Sequence, residues 1–385
     1  MKIVVAIDSL KGSLTSTEAA KAIKEGILSV TEAEVVIKPL ADGGEGTVEA
    51  LISAMNGKWV SADVTGPAGD KVTCPYGIIE DTQTAVIEIA GAAGIVLVPK
   101  EKRNPLYTTT FGVGEVILDA MDRGCRNFLI GIGGSATNDG GIGMLEALGF
   151  RFYDEMENLA GPYGKDLASI KSVQIVHADP RLKECCFRIA CDVNNPLCGL
   201  EGASHVFGPQ KGATLDTVQI LDKALDNFAV ITKETLKKDT AGIAGTGAAG
   251  GLGYAFLTYL NAVMEPGISI IMDAIKLEEE LKDADYVITG EGRLDFQTSM
   301  GKAPIGVARL AKKYKVKVLA FAGCVTDEAE ECNKNGIDAF FPILQAPMTA
   351  EKAMEPAVAY ANMAATARQV FRLIKTAAMV DQILI

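Results

Sequence analysis

The sequence predicts an α/β fold, a doubly wound Rossmann-like parallel sheet domain with an inserted mixed α/β domain. Short apolar runs alternate with helical patterns at both ends of the chain, which is typical of parallel βα units. Between them, residues 58–89 consist of short β-type runs joined by turn signals, which favours antiparallel pairing. One domain built from both ends therefore carries another as an insertion.

The first 55 residues contain two βα units. Residues 2–7 form a predicted strand, and the N-cap signature of Thr15 or Ser16 with Glu18 starts a helix over 16–30. A second strand is predicted over 34–38, followed by a loop and a helix that ends near Met55.

The middle of the chain has a different pattern of predicted elements. Apolar runs at 59–64, 72–79 and 84–89 predict antiparallel strands. The predicted elements that follow are a helix over 110–123, a strand over 127–132, a helix over 142–148, strands over 173–177 and 187–191, and a long helix over 215–238.

The βα pattern returns near the C-terminus. The predicted elements there are a strand over 286–288 stopped by Gly290 and Gly292, a helix over 305–313, a strand over 316–322, a helix over 327–335, a strand over 339–342 and a helix over 349–375. We therefore expect residues 1–66 and 284–385 to form the Rossmann-like domain and 67–283 the inserted domain, with the active site in the cleft between them.

Composition excludes several classes of function. The 385 residues include 37 Lys plus Arg and 49 Asp plus Glu, a net charge of -12 that argues against nucleic acid or an anionic membrane as the main partner. No apolar run approaches the roughly 18 residues of a membrane span, so we expect a soluble, cytoplasmic protein. Eight cysteines without a C-x-x-C pair and two histidines make a zinc site unlikely and predict reduced thiols.

The densest run of reactive side chains lies in residues 285–304, DYVITGEGRLDFQTSMGKAP. It reads as a strand, a polar loop and a helix start, and ligands of parallel sheets bind at the carboxyl ends of strands beside helix N-termini. Glu291, Arg293, Asp295 and Lys302 could hold a small anionic substrate next to a phosphate. The alternative is a polar surface loop.

A glycine-rich loop spans residues 133–141. Its glycines, Gly133 and Gly134 among them, let backbone N–H groups approach an anion. Its polar side chains offer hydrogen bonds or metal ligands: Ser135, Thr137, Asn138 and Asp139. The alternative is a tight strand-to-helix turn in which Asp139 is the N-cap.

Polar or charged candidate residues also follow three other predicted strands. Asp8, Lys11 and Ser13 could hold charge at the end of the first strand, or could form an exposed helix start. Asp42 and Glu45 could bind Mg²⁺ or substrate hydroxyls, or could belong to a turn and a helix N-terminus. Asp192 could be a general base or metal ligand, or could form an Asx-turn.

Two nucleotide motifs give little support. The Gly245-x-Gly-x-x-Gly250 pattern matches a dinucleotide fingerprint but lacks a preceding strand, so close helix packing explains it better. A Walker A motif is absent, since Gly301-Lys302 lacks both the earlier glycine and the following hydroxyl.

Five segments carry a resemblance to a known family. They are DSLKGS at 8–13, PLADGGEGT at 39–47, GIGGSATNDGGIGML at 131–145, GPQKGA at 208–213 and TGEGRLDFQTSMGKAP at 289–304. In this order they resemble the signature segments of the bacterial two-domain glycerate kinases, over nearly the whole chain. The resemblance implies ATP-dependent phosphorylation of D-glycerate with Mg²⁺ as cofactor, most often giving 2-phosphoglycerate, and the two-domain architecture described above.

Phosphoryl transfer depends on positioning and charge neutralisation, which suits these residues. We hypothesise that Arg293 binds the glycerate carboxylate, Lys11 and Lys302 neutralise phosphates, and Asp192 or Asp295 accepts the hydroxyl proton. Asp42, Glu45 and Asp139 would contact metal or hydroxyl groups. The substrate and phosphate contacts would be Asp8, Ser13, Gly133, Gly134, Ser135, Thr137, Asn138 and Glu291.

Other functions are compatible with the sequence. Phosphorylation at the 3-hydroxyl is one, because the two hydroxyls lie one carbon apart. A non-catalytic sugar-acid or nucleotide sensor and an NAD-linked dehydrogenase using residues 245–250 are others. The expected partners are small molecules, and the sequence leaves open the oligomeric state, a homo-oligomer included.

Overall fold

The computed structural model describes residues 1–40 and 47–381 of the chain. In these ranges the β-strands are β1 (Lys2–Val5), β2 (Glu34–Ile37), β3 (Lys58–Thr65), β4 (Lys71–Ile79), β5 (Thr84–Glu88), β6 (Asn127–Gly131), β7 (Arg151–Tyr153), β8 (Ser172–Gln174), β9 (Cys186–Ala190), β10 (Val263–Glu265), β11 (Tyr286–Leu294), β12 (Lys317–Val325) and β13 (Ala339–Pro342).

The α-helices in the same ranges are α1 (Ser16–Leu28), α2 (Thr47–Met55), α3 (Ala90–Ala93), α4 (Phe111–Asp122), α5 (Ile142–Ala147), α6 (Ala203–Phe207), α7 (Leu215–Leu236), α8 (Ala248–Tyr259), α9 (Gly267–Ala274), α10 (Leu277–Leu281), α11 (Phe296–Ser299), α12 (Ala303–Lys313), α13 (Glu331–Lys334), α14 (Ala350–Met354) and α15 (Pro356–Asp381). None of these helices combines the length and apolar character that a membrane span requires.

The described residues divide into two compact units. The first contains residues 1–40, 49–55 and 271–381, and the second contains 47–48 and 56–270. These boundaries differ from the expected ones at 66 and 284. Residues 58–65 join the second unit because β3 pairs antiparallel with β4 over its whole length.

The first unit is built on a parallel sheet. Among the described residues the strand order is β13-β12-β11-β1-β2, and every neighbouring pair is parallel. Ile3, Val5 and Ile7 pack with apolar residues of α1 and α15 on one face. The intervening Val4 and Ala6 are also fully buried, as expected of a strand covered on both faces. The sheet is therefore of the predicted doubly wound type.

Strand β11 is longer than the sequence predicted. We expected Gly290 to stop it, but pairing with β12 continues to Leu294. Gly290 adopts φ +149°, and a Cβ there would lie 1.8 Å from the Phe321 carbonyl oxygen. Glycine here allows two backbones to approach closely and does not end the strand. The extension carries Glu291 and Arg293 beyond the end of β1.

The second unit contains a mixed sheet. In the described part of the chain its order is β10-β9-β6-β5-β4-β3. The strands β10, β9, β6 and β5 are parallel, and β4 and β3 add antiparallel pairs. The predicted antiparallel pairing of residues 59–89 is confirmed. This unit has its own core, in which Phe128, Phe187 and Phe256 are buried.

Three predicted elements differ in detail. The strand expected over 173–177 is the shorter β8, which pairs with β7 apart from the large sheet. The helix expected over 327–335 is a 3₁₀ turn followed by α13. The helix expected over 349–375 is divided into α14 and α15 at Glu355, because the residue before Pro356 disfavours helical backbone.

Candidate active site

A cavity of about 620 Å³ opens at the carboxyl end of the parallel sheet in the first unit. Loops that follow β1 and β13, the extended ends of β11 and β12, and the starts of α12 and α14 line it. Seven of the residues that the sequence singled out meet in this cavity: Asp8, Lys11, Ser13, Glu291, Arg293, Asp295 and Lys302. Its volume lies in the roughly 300–1,000 Å³ range of small-molecule sites.

The loop after β1 is a tight turn. Leu10 and Leu14 exchange backbone hydrogen bonds of 2.8 and 3.0 Å, which closes the turn around Lys11, Gly12 and Ser13. Gly12 adopts φ +76°, a conformation that side-chain-bearing residues rarely take. The turn leaves Lys11 exposed at the cavity.

The base of this loop is less accessible. Asp8 is only 5% exposed, and its Oδ1 accepts a hydrogen bond of 2.6 Å from the Ser9 N–H. The Ser13 hydroxyl is buried, and no hydrogen-bond partner for it occurs within residues 1–40 and 47–381. A buried hydroxyl in this state is suited to a ligand or an ordered water.

Arg293 and Asp295 form a loose pair at the end of β11. The Arg293 Nε lies 3.6 Å from Asp295 Oδ2, and the arginine side chain is 63% exposed. Asp295 is the N-cap of α11, where its Oδ1 accepts from the N–H groups of Gln297 and Thr298 at 2.9 and 3.2 Å. One carboxylate oxygen is therefore used by the fold, and the other faces Arg293.

Glu291 and Lys302 line the same cavity and form a second loose pair. The Glu291 Oε1 accepts a hydrogen bond of 2.6 Å from the Thr298 hydroxyl. Its Oε2 lies 3.9 Å from Lys302 Nζ, so the ion pair is long. Lys302 is the N-cap of α12, so this cationic residue belongs to a helix N-terminus, the end of a helix that attracts anions.

The glycine-rich loop 133–141 belongs to the second unit. Gly133 and Gly134 are exposed, whereas Ser135, Thr137 and Asn138 are at least nine-tenths buried. Asn138 Nδ2 donates to the Ser204 hydroxyl at 3.0 Å. Of the predicted contact residues in this loop, the two glycines are therefore accessible to a ligand, whereas the three polar side chains are buried.

Asp139 has a structural role here, and its expected contact with metal or hydroxyl groups stays a prediction. It has no exposed surface, and its Oδ2 accepts from the N–H and hydroxyl of Thr110, both at 2.7 Å. The N–H groups of Gly141 and Gly143 donate to it as well, at 3.1 and 3.4 Å. Burial raises the pKa of this carboxyl, and these hydrogen bonds oppose the shift.

Lys211 is a residue that sequence reasoning missed as a site candidate. Its ammonium donates to Ser135 Oγ at 2.8 Å and to the Thr137 carbonyl at 2.6 Å, and the residue is 2% exposed. Burial lowers the pKa of Lys211 to about 7, although the nearby Asp139 carboxylate opposes that effect. The sequence signal was its place in the GPQKGA segment.

The remaining predicted site residues are Asp192, Asp42 and Glu45. Asp192 lies in the second unit, where its Oδ1 accepts from the Gly267 N–H at 3.0 Å at the start of α9. Asp42 and Glu45 lie outside the described residues. The predicted position of the active site between the two domains stays a prediction.

The Gly245–Gly250 pattern is explained by packing, as the sequence favoured. A Cβ on Gly250 would lie 2.0 Å from the Thr137 carbonyl oxygen. Residues 241–247 form turns and not a strand. The structural context of a dinucleotide fingerprint is therefore missing from this part of the described chain.

Three cations and three carboxylates at the carboxyl edge of a parallel sheet define an α/β enzyme that acts on a small anionic substrate. Comparisons with known proteins give the reaction. A sequence model described as the glycerate kinase family matches residues 3–375. The chain belongs to the glycerate kinase family, and it is an enzyme that phosphorylates glycerate. Membership in a kinase family implies use of ATP.

Similarity to individual relatives supports membership in this family. The chain is 50% identical to a glycerate kinase of Haemophilus influenzae over 345 residues, which cover 89% of this chain and 91% of the relative. It is 48% identical to a glycerate 2-kinase of Escherichia coli over 96% of this chain and 97% of the relative. A crystal structure described as a candidate glycerate kinase 2 from Salmonella typhimurium LT2 has a TM-score of 0.91 and 46% identity, covering 98% of this chain and 99% of that one.

Proposed function

We propose that the enzyme transfers the γ-phosphoryl group of ATP to the 2-hydroxyl of D-glycerate, giving 2-phosphoglycerate and ADP. The observation that supports this most is the single cavity that gathers Lys11, Arg293, Lys302 and Asp295 in one unit. The 2-hydroxyl is favoured over the 3-hydroxyl because the Escherichia coli relative is named a glycerate 2-kinase.

The cations of the cavity bind the two anionic groups. Arg293 pairs with the glycerate carboxylate, since a guanidinium matches a carboxylate in a bidentate pair. Its exposed side chain and its long contact with Asp295 leave it able to reach a ligand. Lys11 and Lys302 neutralise the phosphates and the charge that develops during transfer.

Asp295 accepts the proton of the attacking hydroxyl. The glycerate oxygen forms a bond to the γ-phosphorus, the bond from that phosphorus to the β,γ-bridging oxygen breaks, and ADP leaves with the electron pair. Asp295 suits this role because Oδ1 is fixed by two backbone N–H groups while Oδ2 faces the cavity residue Arg293. The alternative base is Asp192, whose Oδ1 accepts from the Gly267 N–H at the start of α9.

Mg²⁺ fits this donor set. Kinase magnesium ions are held by one or two carboxylates together with substrate phosphates, so a dedicated cage is unnecessary. Within the described ranges no cluster of three potential ligands occurs, but Asp8 and Glu291 both line the cavity and would supply carboxylate oxygens. When bound, the ion would neutralise charge on the phosphate oxygens.

We also propose a phosphate contact within the second unit itself. The exposed backbone of Gly133 and Gly134 is suited to a phosphate, whereas the buried side chains of Ser135, Thr137 and Asn138 maintain the conformation of the loop. The location of the protein is a separate question, and the expected cytoplasmic location stays a prediction.

The function is tested by incubating the protein with ATP, MgCl₂ and D-glycerate and following both ADP release and the product. We expect ADP in proportion to D-glycerate and a phosphorus NMR signal that couples to the single proton on C2. Coupling to the two protons of C3 would identify 3-phosphoglycerate instead. Absence of D-glycerate-dependent ADP would reject the proposal, and a sensor would behave in this way.

Two matched variants identify the base. Asp295→Asn keeps a side-chain acceptor at the N-cap of α11, and Asp192→Asn keeps an oxygen that can accept from the Gly267 N–H, so the fold should be retained in both. We expect Asp295→Asn to lower kcat by about 10²- to 10⁴-fold, the range of general base catalysis, with Asp192→Asn much closer to wild type. The reverse order would identify Asp192, and near wild-type turnover in both would refute a carboxylate base.

A further inference from the structure

The cavity of the first unit has a second side that the glycerate chemistry does not use. The residues after β13 and on α14 present an apolar surface, here called the apolar wall, made of Ile343, Leu344, Met348, Ala353 and Met354. The charged residue Arg293 lies near the carboxyl end of β11 instead, and Lys11 follows β1. One cavity therefore contains a charged region and an apolar region on different strands.

The strand order separates these regions. Strand β12 lies between β13 and β11, so two strand spacings, roughly 10 Å, separate the ends of β13 and β11. A three-carbon acid, with bonds of about 1.5 Å, that is bound at the end of β11 is too short to reach the residues that follow β13 as well. A ligand with a polyphosphate at one end and an apolar ring system at the other has the required length.

Two side chains of the apolar wall are substantially exposed. Leu344 is 41% exposed and Met354 is 45% exposed. Each Å² of apolar surface removed from water stabilises a complex by about 25 cal/mol, so a flat ring covering these side chains would bind favourably. Methionine adapts its shape and its thioether contacts aromatic rings well.

Met354 also brings the apolar wall close to the turn after β1 that carries Lys11. Its Cε lies 2.9 Å from the position that a Cβ on Gly12 would occupy. The wall therefore begins beside the turn that carries Lys11. A nucleotide could place its base on the wall with its phosphates directed to the cations.

We propose that the apolar wall is the binding site for the purine base of ATP. This inference rests on the proposed function, because it takes the phosphates to lie at Lys11 and Lys302. It assigns base recognition to Leu344 and Met354, which bind the nucleotide by burying apolar surface and not by hydrogen bonds.

The test uses Leu344→Gln and Met354→Gln, singly and together, in the full-length protein. Both side chains are partly exposed, so the fold should be retained, and circular dichroism checks this. We expect the double variant to raise the KM for ATP and the Kd for ADP by about 10- to 100-fold, the effect of lost apolar contacts, with the KM for D-glycerate changed less than twofold. Met354→Leu should restore most of the affinity.

Inorganic triphosphate separates base binding from phosphate binding, because it has no base. Its inhibition constant against ATP should be the same in wild type and double variant. Leu28→Gln is the matched control, since Leu28 is 47% exposed in the same unit and does not line the cavity. Unchanged ADP affinity in the double variant, or an equal loss of triphosphate and ADP binding, would overturn the proposal.

Direct binding of ADP keeps this test independent of the reaction. A wild-type protein that binds ADP through the apolar wall but forms no 2-phosphoglycerate would contradict the proposed function alone. A wild-type protein that binds no ADP would overturn the assignment of the wall.

Discussion

Lys211 illustrates how burial changes the chemistry of a single residue. Its ammonium lies against the 133–141 loop and donates hydrogen bonds to the Ser135 hydroxyl and to the Thr137 carbonyl. Burial disfavours the charged form and lowers the pKa of Lys211 to about 7. At neutral pH this lysine is therefore divided between two protonation states.

This shift predicts a pH dependence of stability. Because the folded-state pKa lies below the usual value of 10.5, the unfolded chain binds more protons than the folded protein between about pH 7 and 10.5. The cost of the buried charge is fully present below pH 7 and disappears as the pH rises through this window. Lys211→Met removes the titration, so the free energy of unfolding of wild type should rise relative to that of the variant by several kcal/mol between pH 7 and 10.

Chemical denaturation at pH 7, 8, 9 and 10 measures the effect. Lys223→Met, which changes an exposed lysine on the neighbouring helix α7, is the matched control and should follow wild type. If the free energy of unfolding changed with pH in the same way for wild type and Lys211→Met, Lys211 would not be buried as a charge.

At the scale of elements, Asp139 connects the starts of two helices. Its carboxylate accepts from Thr110, just before α4, and from Gly141 and Gly143 at the start of α5. Helix N-termini carry unpaired N–H groups that are costly to bury without an acceptor. A single side chain therefore satisfies donors from both helices.

We expect Asp139→Asn to destabilise the protein by about 3 kcal/mol, because the amide NH₂ would face a buried donor at one of these contacts. Asp216→Asn, at the exposed first turn of α7, should change stability by less than about 0.5 kcal/mol. Denaturant midpoints of the three proteins give the comparison. Wild-type stability in Asp139→Asn would contradict this structural role of Asp139.

At the scale of the whole molecule, the two units differ in how the chain builds them. Residues 56–270 are continuous and contain their own sheet and core. The sheet of the first unit places β1 between β2 and β11, so it needs both ends of the chain. The covalent order of the chain thus predicts different folding behaviour for the two units.

We expect a fragment of residues 56–270 to fold alone and to show a cooperative thermal transition. A fragment of residues 271–381 should remain largely unfolded, since it lacks β1 and the α1 surface against which α15 packs. Circular dichroism and heat denaturation test both. An unfolded 56–270 fragment would show that this unit depends on the rest of the chain.

Three aspartates show what local sequence could not distinguish. Asp139, Asp192 and Asp295 each follow a strand or loop and accept backbone N–H groups at the start of a helix. Of the three, Asp295 lines the cavity of the first unit. The sequence predicted that each could be a turn residue or a functional acid, because both roles favour the same residue type at the same place.

The α/β class, most of the helices and strands, and the family could be predicted from the sequence, because side-chain periodicity and short motifs are local properties of the chain. The folded structure was needed to show which candidates share a cavity, that Asp139 and Lys211 are buried, and that β3 belongs to the second unit. Burial and strand pairing depend on residues distant in sequence, and local patterns carry no information about those contacts.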